Sequence, residues 1–417
     1  MEHKKVRSFA IIGGGPAGAA LGALLAREGH RVGIFHTDKR PPLIVGESLL
    51  PAVVPMLRRL GIEEKVASFS TYKPGATVCL TADEVISFKF SWADQKLPHY
   101  AYNTPRDLFD CTVLEAAASA GAKIFPFSAQ VVKAGAANSV RLSAETLDQT
   151  EGFFGDGPDL IIDASGRSRV LSRLLDGPVS RGGRGDVALF AHLSTAQMSD
   201  EGHIHTDYLT HGWSWRIPLP GRVSLGVVID PKHLSQYGES IEAQYDGYLA
   251  DEPSLQRYTK GAKRLTPVVK YQNYQLISQS MHGPGWAMVG DAAGFIDPIF
   301  STGLYLSMKG AFALFDATQS NSPRAMDDYQ AGRHQEFQLW RRVIDSWYNG
   351  KLFNLHRAGS AYRDRWYGAM FARRLEKRTV RVFTGQAVDK MGFSLRIIDS
   401  MLHFGTLLRD PGDLQIN

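Results

Sequence analysis

The sequence predicts an α/β fold in three parts, and three observations carry that expectation. A strand, glycine turn, helix and second strand open the chain in "VRSFAIIGGGPAGAALGALLAREGHRVGIF". Strand-like runs "DVALFAHL", "GWSWRIPL" and "RVSLGVVI" occupy its middle. Near the end, Phe337, Trp340, Ile344 and Trp347 recur at helical spacing. We therefore expect residues 1–175 and 275–320 to form one discontinuous domain around a mostly parallel sheet. Residues 176–274 should form an antiparallel-sheet domain lying over it, and residues 321–417 a helical C-terminal region.

The first element carries chemistry. Gly13, Gly15 and Gly18 have the spacing of a dinucleotide fingerprint in the right strand-turn-helix context. Gly13 permits the tight turn, Gly15 lets a pyrophosphate approach the backbone, and Gly18 lets helix and strand pack closely. The helix start then offers free N–H groups to phosphate. The acid that should end the second strand and bind the ribose is replaced by His36, so either Asp38, two residues on, or the imidazole takes that task.

Composition limits the rest. The 417 residues, 44% of them hydrophobic, can bury a large core. Two cysteines, Cys79 and Cys111, make neither a disulfide framework nor a CxxC pattern, so a reducing cytoplasm is expected. Neither a secretory leader nor a run of roughly 18 apolar residues is found. We expect no membrane span, no metal and no nucleic-acid partner. The formal charge of +5 is regional: from Lys351 to Lys390 ten Lys and Arg face Asp364, Glu376 and Asp389. Arg373, Arg374, Lys377 and Arg378 are its densest part. That segment reads as a solvated helical face or as a docking surface for an acidic partner.

Three further segments resemble those of FAD-dependent aromatic hydroxylases, and so identify the fold as an FAD-binding Rossmann-like (para-hydroxybenzoate hydroxylase-like) domain. "NTPRDLFDCTVLEAAASAGAKIF" places Arg106 ahead of an amphipathic helix, "DLIIDASGRSR" ends a buried strand at Asp163, and "GWAMVGDAAGFIDPIFSTGLYLSMKGA" carries Asp291. The resemblance implies that Arg106 reaches the cofactor, that Asp163 lies in a second nucleotide-contact turn, and that Asp291 meets the ribityl or pyrophosphate region. A helix N-cap is the plain alternative for Asp291.

Over residues 6–320 the chain also resembles the flavin-dependent halogenases, closest to the phenol and pyrrole branch. Trp213, Trp215, Ile217 and Pro218 match a WxWxIP pattern; Phe295, Pro298, Ser301 and Gly303 match F-x-x-P-x-x-S-x-G. "VGESLLPAVVPMLRRLGI", with Glu47 and Ser48, and "YKPGATV", with Lys73, are similar to further family segments. The resemblance implies FAD as cofactor, with Glu47, Ser48, Pro298, Thr302 and Gly303 along it. Chloride or bromide would sit at the backbone N–H groups of Thr302 and Gly303. Reduced flavin and dioxygen supply an electrophilic oxygen, and Lys73 carries the oxidised halogen to an electron-rich aromatic ring. Trp213 and Trp215 would wall flavin from substrate.

Simpler readings stand beside these. The indoles could only pack under the sheet, and Lys73 could be a surface-loop lysine. Phe300 replaces the glutamate of the free-tryptophan branch, which points to phenol, pyrrole or tethered substrates, on a carrier protein or within a polypeptide. No second nicotinamide fingerprint is visible, so a separate flavin reductase is expected. An aromatic hydroxylase, including one acting on a peptidyl tryptophan in quinone-cofactor biogenesis, is the alternative. A flavin-linked isoprenoid reductase is a lesser one, and should lack both tryptophans and the lysine.

Overall fold

Five strands of a six-stranded sheet run parallel through the N-terminal part of the chain. The computed structural model describes residues 6–37, 39, 41–81, 83–92, 97–272, 275–352, 380–381, 383–385 and 416. The sheet order is His282–Gly283, Trp286–Met288, Leu160–Asp163, Ser8–Ile12, Arg31–Phe35 and Lys123–Phe125, with only the first strand antiparallel to its neighbour. The central strands are apolar almost without interruption, as strands covered on both faces must be. Helix Pro16–Arg27 starts straight after the glycine turn, with proline in its first turn where the missing N–H costs nothing. It packs between helices Arg106–Ser119 and Thr302–Gln319.

A seven-stranded sheet forms the second layer, in the order Val269–Gln272, Val187–Leu193, Arg222–Ile229, Gly212–Leu219, Ile204–Leu209, Gly75–Cys79, Val85–Lys89. All its pairings are antiparallel except that of Ile204–Leu209 with Gly75–Cys79. This corrects the expectation that residues 1–175 belong to the first domain. Gly75–Cys79 is a fully buried strand, apolar except for Thr77, that pairs Ala76 with Ile204, so it and Val85–Lys89 extend the second sheet. Both faces of that sheet are covered. Trp213, Trp215 and Ile217 join the main core, whereas Leu189, Leu225 and Val227 join a smaller core with Tyr245 and Tyr258 of the helices Ile241–Asp251 and Pro253–Thr259.

Helix Ala325–Tyr348 begins with Asp327 and Asp328 in its first turn, favourable to the helix dipole. Phe337, Trp340, Ile344 and Trp347 are all buried on its inner face, against helix Thr302–Gln319. The basic cluster from Arg373 to Arg378 lies outside the described residues.

Candidate functional site

The glycine turn divides its tasks by position. Gly13 has φ +109°, and a Cβ there would stand 2.3 Å from the Ala164 carbonyl oxygen; one on Gly18 would stand 2.1 Å from that of Gly13. These two glycines bring helix and strands together and do not line the cavity beyond. Gly15 caps helix Pro16–Arg27 with no side-chain cap, and a Cβ there would meet nothing within 4 Å. An open cradle at a bare helix start is the shape a pyrophosphate needs, so the residues present fit a dinucleotide. His36 stands against the turn, its ring 2.8 Å from where a Gly14 Cβ would lie. Asp38 falls outside the described residues.

From this cradle one cavity extends to the two tryptophans. Gly15, Glu47, Ser48, Arg106, Asp291, Pro298, Gly303, Trp213 and Trp215 all line it, although they come from both sheets and several loops. Asp163 does not. One carboxylate oxygen accepts from the Ser165 N–H (3.0 Å) and hydroxyl (2.5 Å), and the other from the Leu171 N–H at 2.7 Å. Fully buried, Asp163 shapes the turn whose next residues, Ala164, Gly166 and Arg167, line the cavity.

Segment 43–48 borders the cavity and is tied down from four places. Tyr271 donates to the Leu43 carbonyl at 3.1 Å. Arg106 forks onto Asp110 at 2.9 and 3.1 Å and turns its remaining nitrogen to the Val45 carbonyl. Glu47 shares a 2.7 Å hydrogen bond with His192 Nε2, both side chains buried. Ser48 donates to Asn103 Oδ1 at 2.7 Å, and Asn103 donates to the Gly202 carbonyl at 2.9 Å. His192 and Asn103 escape the sequence reading because only long-range pairing brings them here. Asp291, expected along the cofactor, reaches the cavity from the short turn Gly290–Ala292 and accepts from Ser307 at 3.3 Å.

Trp213 and Trp215 project from one face of strand Gly212–Leu219, ring centroids 5.8 Å apart at 47°. Trp215 lies across Gly226 of the neighbouring strand, where a Cβ would come within 2.2 Å of the indole. Trp213 donates its indole N–H to Tyr348 at 2.9 Å. The indoles therefore both pack in the core and line the cavity. On the other face, Arg216 pairs with Asp207 at 2.6 Å beneath the Tyr258 ring.

Lys73 is buried, which overturns the surface-loop alternative, and it does not line the cavity. Its ammonium donates to the Leu49 carbonyl at 2.8 Å and lies 5.4 Å from the centre of the Phe90 ring. Burial pushes its pKa down to about 7, with no carboxylate within ion-pair distance among the described residues. Thr302 opens helix Thr302–Gln319 after Ser301 in the left-handed region (φ +56°); its buried hydroxyl has no partner among the described residues. Phe300 packs among Trp340, Trp347 and Phe383, away from the cavity lining. Among the described residues, no cluster of His, Cys, Asp and Glu could hold a metal, and no helix is long and apolar enough to cross a membrane.

Residues 8–79 and 67–353 match the protein family described as tryptophan halogenase. A tryptophan 2-halogenase of Chondromyces crocatus is 28% identical over 364 residues, covering 84% of this chain and 69% of its own. A flavin-dependent halogenase of Armillaria mellea is 30% identical over 332 residues, covering 73% and 65%, so this chain spans just under two thirds of that relative. The 1H-pyrrole-2-carbonyl-[peptidyl-carrier protein] chlorinase of Pseudomonas fluorescens is 25% identical over 375 residues, covering 81% and 82%. Among solved structures, the myxobacterial chondrochloren halogenase, 23% identical, superposes with a TM-score of 0.73 over 99% of this chain and 100% of its own, a likeness of fold.

Proposed function

The chain belongs to the tryptophan halogenase family, and from that premise we propose that it is an FAD-dependent halogenase of electron-rich aromatic rings. The observation that carries this reading is the single cavity joining the helix-start cradle at Gly15 to the indoles of Trp213 and Trp215. Bound FAD, once reduced, supplies with dioxygen the electrophilic oxygen that halogenation requires.

The chain's own residues do the rest. The backbone N–H groups of Gly15 and Ala17, on either side of Pro16, hold the pyrophosphate, and Arg106 and His192 fix the segment carrying Val45–Ser48 beside the cofactor. Chloride or bromide binds at the N–H groups of Thr302 and Gly303, where a helix start meets the cavity at Ser301 and Gly303. Trp213 and Trp215 keep the ring from the flavin. Lys73, held near pKa 7 by burial, has a neutral amine available to carry the oxidised halogen.

Phe300, in an aromatic cluster rather than on the cavity, supports a substrate other than free tryptophan. The pyrrole chlorinase, which acts on a carrier-bound ring, supports a tethered one. A separate reductase supplies the reduced FAD, and the unpaired Cys79 and Cys111 suit a reducing cytoplasm. Turnover with reduced FAD, dioxygen, halide and candidate phenols or pyrroles, free and carrier-bound, should give a product in which halogen replaces hydrogen. A product gaining only oxygen would make the protein a hydroxylase.

A further inference from the structure

Between the tryptophan wall and the segment leading to helix Thr302–Gln319 stands a residue that none of the motifs read from the sequence includes. Tyr348, the last residue of helix Ala325–Tyr348, accepts the Trp213 indole N–H at 2.9 Å and donates its own hydroxyl to Asp297 Oδ2 at 2.8 Å. Asp297 Oδ1 accepts from the Ile299 N–H at 3.0 Å, and the Ser301 N–H donates to the Pro298 carbonyl at 2.9 Å. Those bonds shape the turn that delivers Pro298 and Ile299 to the cavity and Thr302 to its helix start. The chain of donors runs one way, from indole to phenol to carboxylate. All three side chains are buried.

We propose that Tyr348 is a positioning residue that fixes the Trp213 indole against segment 297–303, so that both walls of the cavity keep one register. It does not line the cavity and acts through its two partners. Its own place is secured: the Arg184 guanidinium lies 4.0 Å from the ring centre, Arg184 pairs with Asp186 at 2.6 Å, and the Tyr348 carbonyl accepts from the Ile416 N–H at 2.9 Å. Burial and Asp297 push the phenol well above its ordinary range, so it keeps the proton it donates. Where the Thr302–Gly303 turn is the halide site, which rests on the function proposed above, Tyr348 sets halide affinity at a distance.

The test uses full-length protein loaded with oxidised FAD. Chloride and bromide are titrated against the visible flavin spectrum, and acrylamide quenching reads the tryptophans. Tyr348→Phe should weaken halide binding by up to about tenfold, the ceiling set by loss of one hydrogen bond to a charged group, leave FAD affinity within about twofold, and raise quenching. In a Trp213→Phe background the same change should add nothing to quenching and little to halide loss, because the chain is already broken. Unchanged quenching, or changes that simply add in the double variant, would overturn the inference. If Tyr348→Phe does not fold, Trp213→Phe alone must weaken halide binding, and failure to do so overturns it equally. A wild-type flavin spectrum indifferent to halide would instead refute the halide site, leaving the quenching cycle to decide the role of Tyr348.

Discussion

A buried lysine with no carboxylate beside it among the described residues changes its protonation with its surroundings. Lys73 titrates near 7 when folded and near its ordinary 10.5 when unfolded. Below pH 7 both states are protonated, and the folded chain bears the full cost of a buried charge. Between 7 and 10.5 the unfolded state holds more protons, so stability rises with pH and the cost is gone above 10.5. At about 1.4 kcal/mol per pH unit that cost is at most roughly 5 kcal/mol. Lys73→Met should therefore raise the melting temperature at pH 6.5 and much less at pH 10; thermal unfolding across that range checks it. In turnover, Lys73→Ala should keep flavin reoxidation and lose product, and undiminished product from the folded variant would make the lysine a bystander. A second expectation concerns Gly15. Its surroundings are empty and its φ is −69°, so Gly15→Val should fold normally yet fill the cradle and purify without flavin absorbance. The turn at Gly15 was legible in the chain because glycine spacing is local, whereas the burial of Lys73 was not, since it depends on which distant elements cover it. What the sequence does not show at Asp163 is that N–H groups of Ser165 and Leu171 occupy both its oxygens, because it shows only that a carboxylate ends a strand.

At the level of elements, the doubled indole announces that two large rings share a strand face, since side chains alternate. Its other requirement is written on a different strand, at Gly226. Gly226→Ala would drive a methyl into the Trp215 ring, so we expect a loss of roughly 1–3 kcal/mol by denaturant unfolding, the usual cost of overpacking. FAD affinity, set at the far end of the cavity, should stay within a few-fold. On the opposite face, Asp207→Asn would leave Arg216 buried without its counter-charge and should cost roughly 3–5 kcal/mol in the same measurement. The long-range membership of Gly75–Cys79 was not legible, because a short apolar run looks the same whichever sheet receives it.

For the whole molecule, the mostly parallel sheet and the antiparallel sheet were legible in the N-terminal strand-turn-helix unit and in the three strand-like runs of residues 186–229. What joins them, Tyr348 and His192, lies outside the motifs legible in the sequence, although both fall within the family match. The basic stretch around Arg373–Arg378, read from the sequence as a solvated face or as a docking surface for an acidic partner, lies outside the described residues, and the docking reading makes a testable claim. Turnover of a carrier-bound ring should then fall several-fold as salt rises past physiological strength, where charges are screened beyond roughly 8 Å. Reversing Arg373, Arg374, Lys377 and Arg378 to glutamate should slow the tethered ring far more than the free one. Equal rates for both, at all salt concentrations, would remove the carrier from the account.

The one parallel pairing in the second sheet also sets a timetable for synthesis. Strand Gly75–Cys79 leaves the ribosome with its apolar faces bare, and its partner at Ile204 follows about 130 residues later, roughly 6–25 s at usual elongation rates. Until then the hairpin it forms with Val85–Lys89 is an uncovered edge, open to chaperones and to other nascent chains. The two layers are thus interleaved in time, and neither can be released as a finished unit before the other has begun. Residues 176–274 produced alone should accumulate as aggregate, and recover solubility when residues 71–103 are supplied in the same chain.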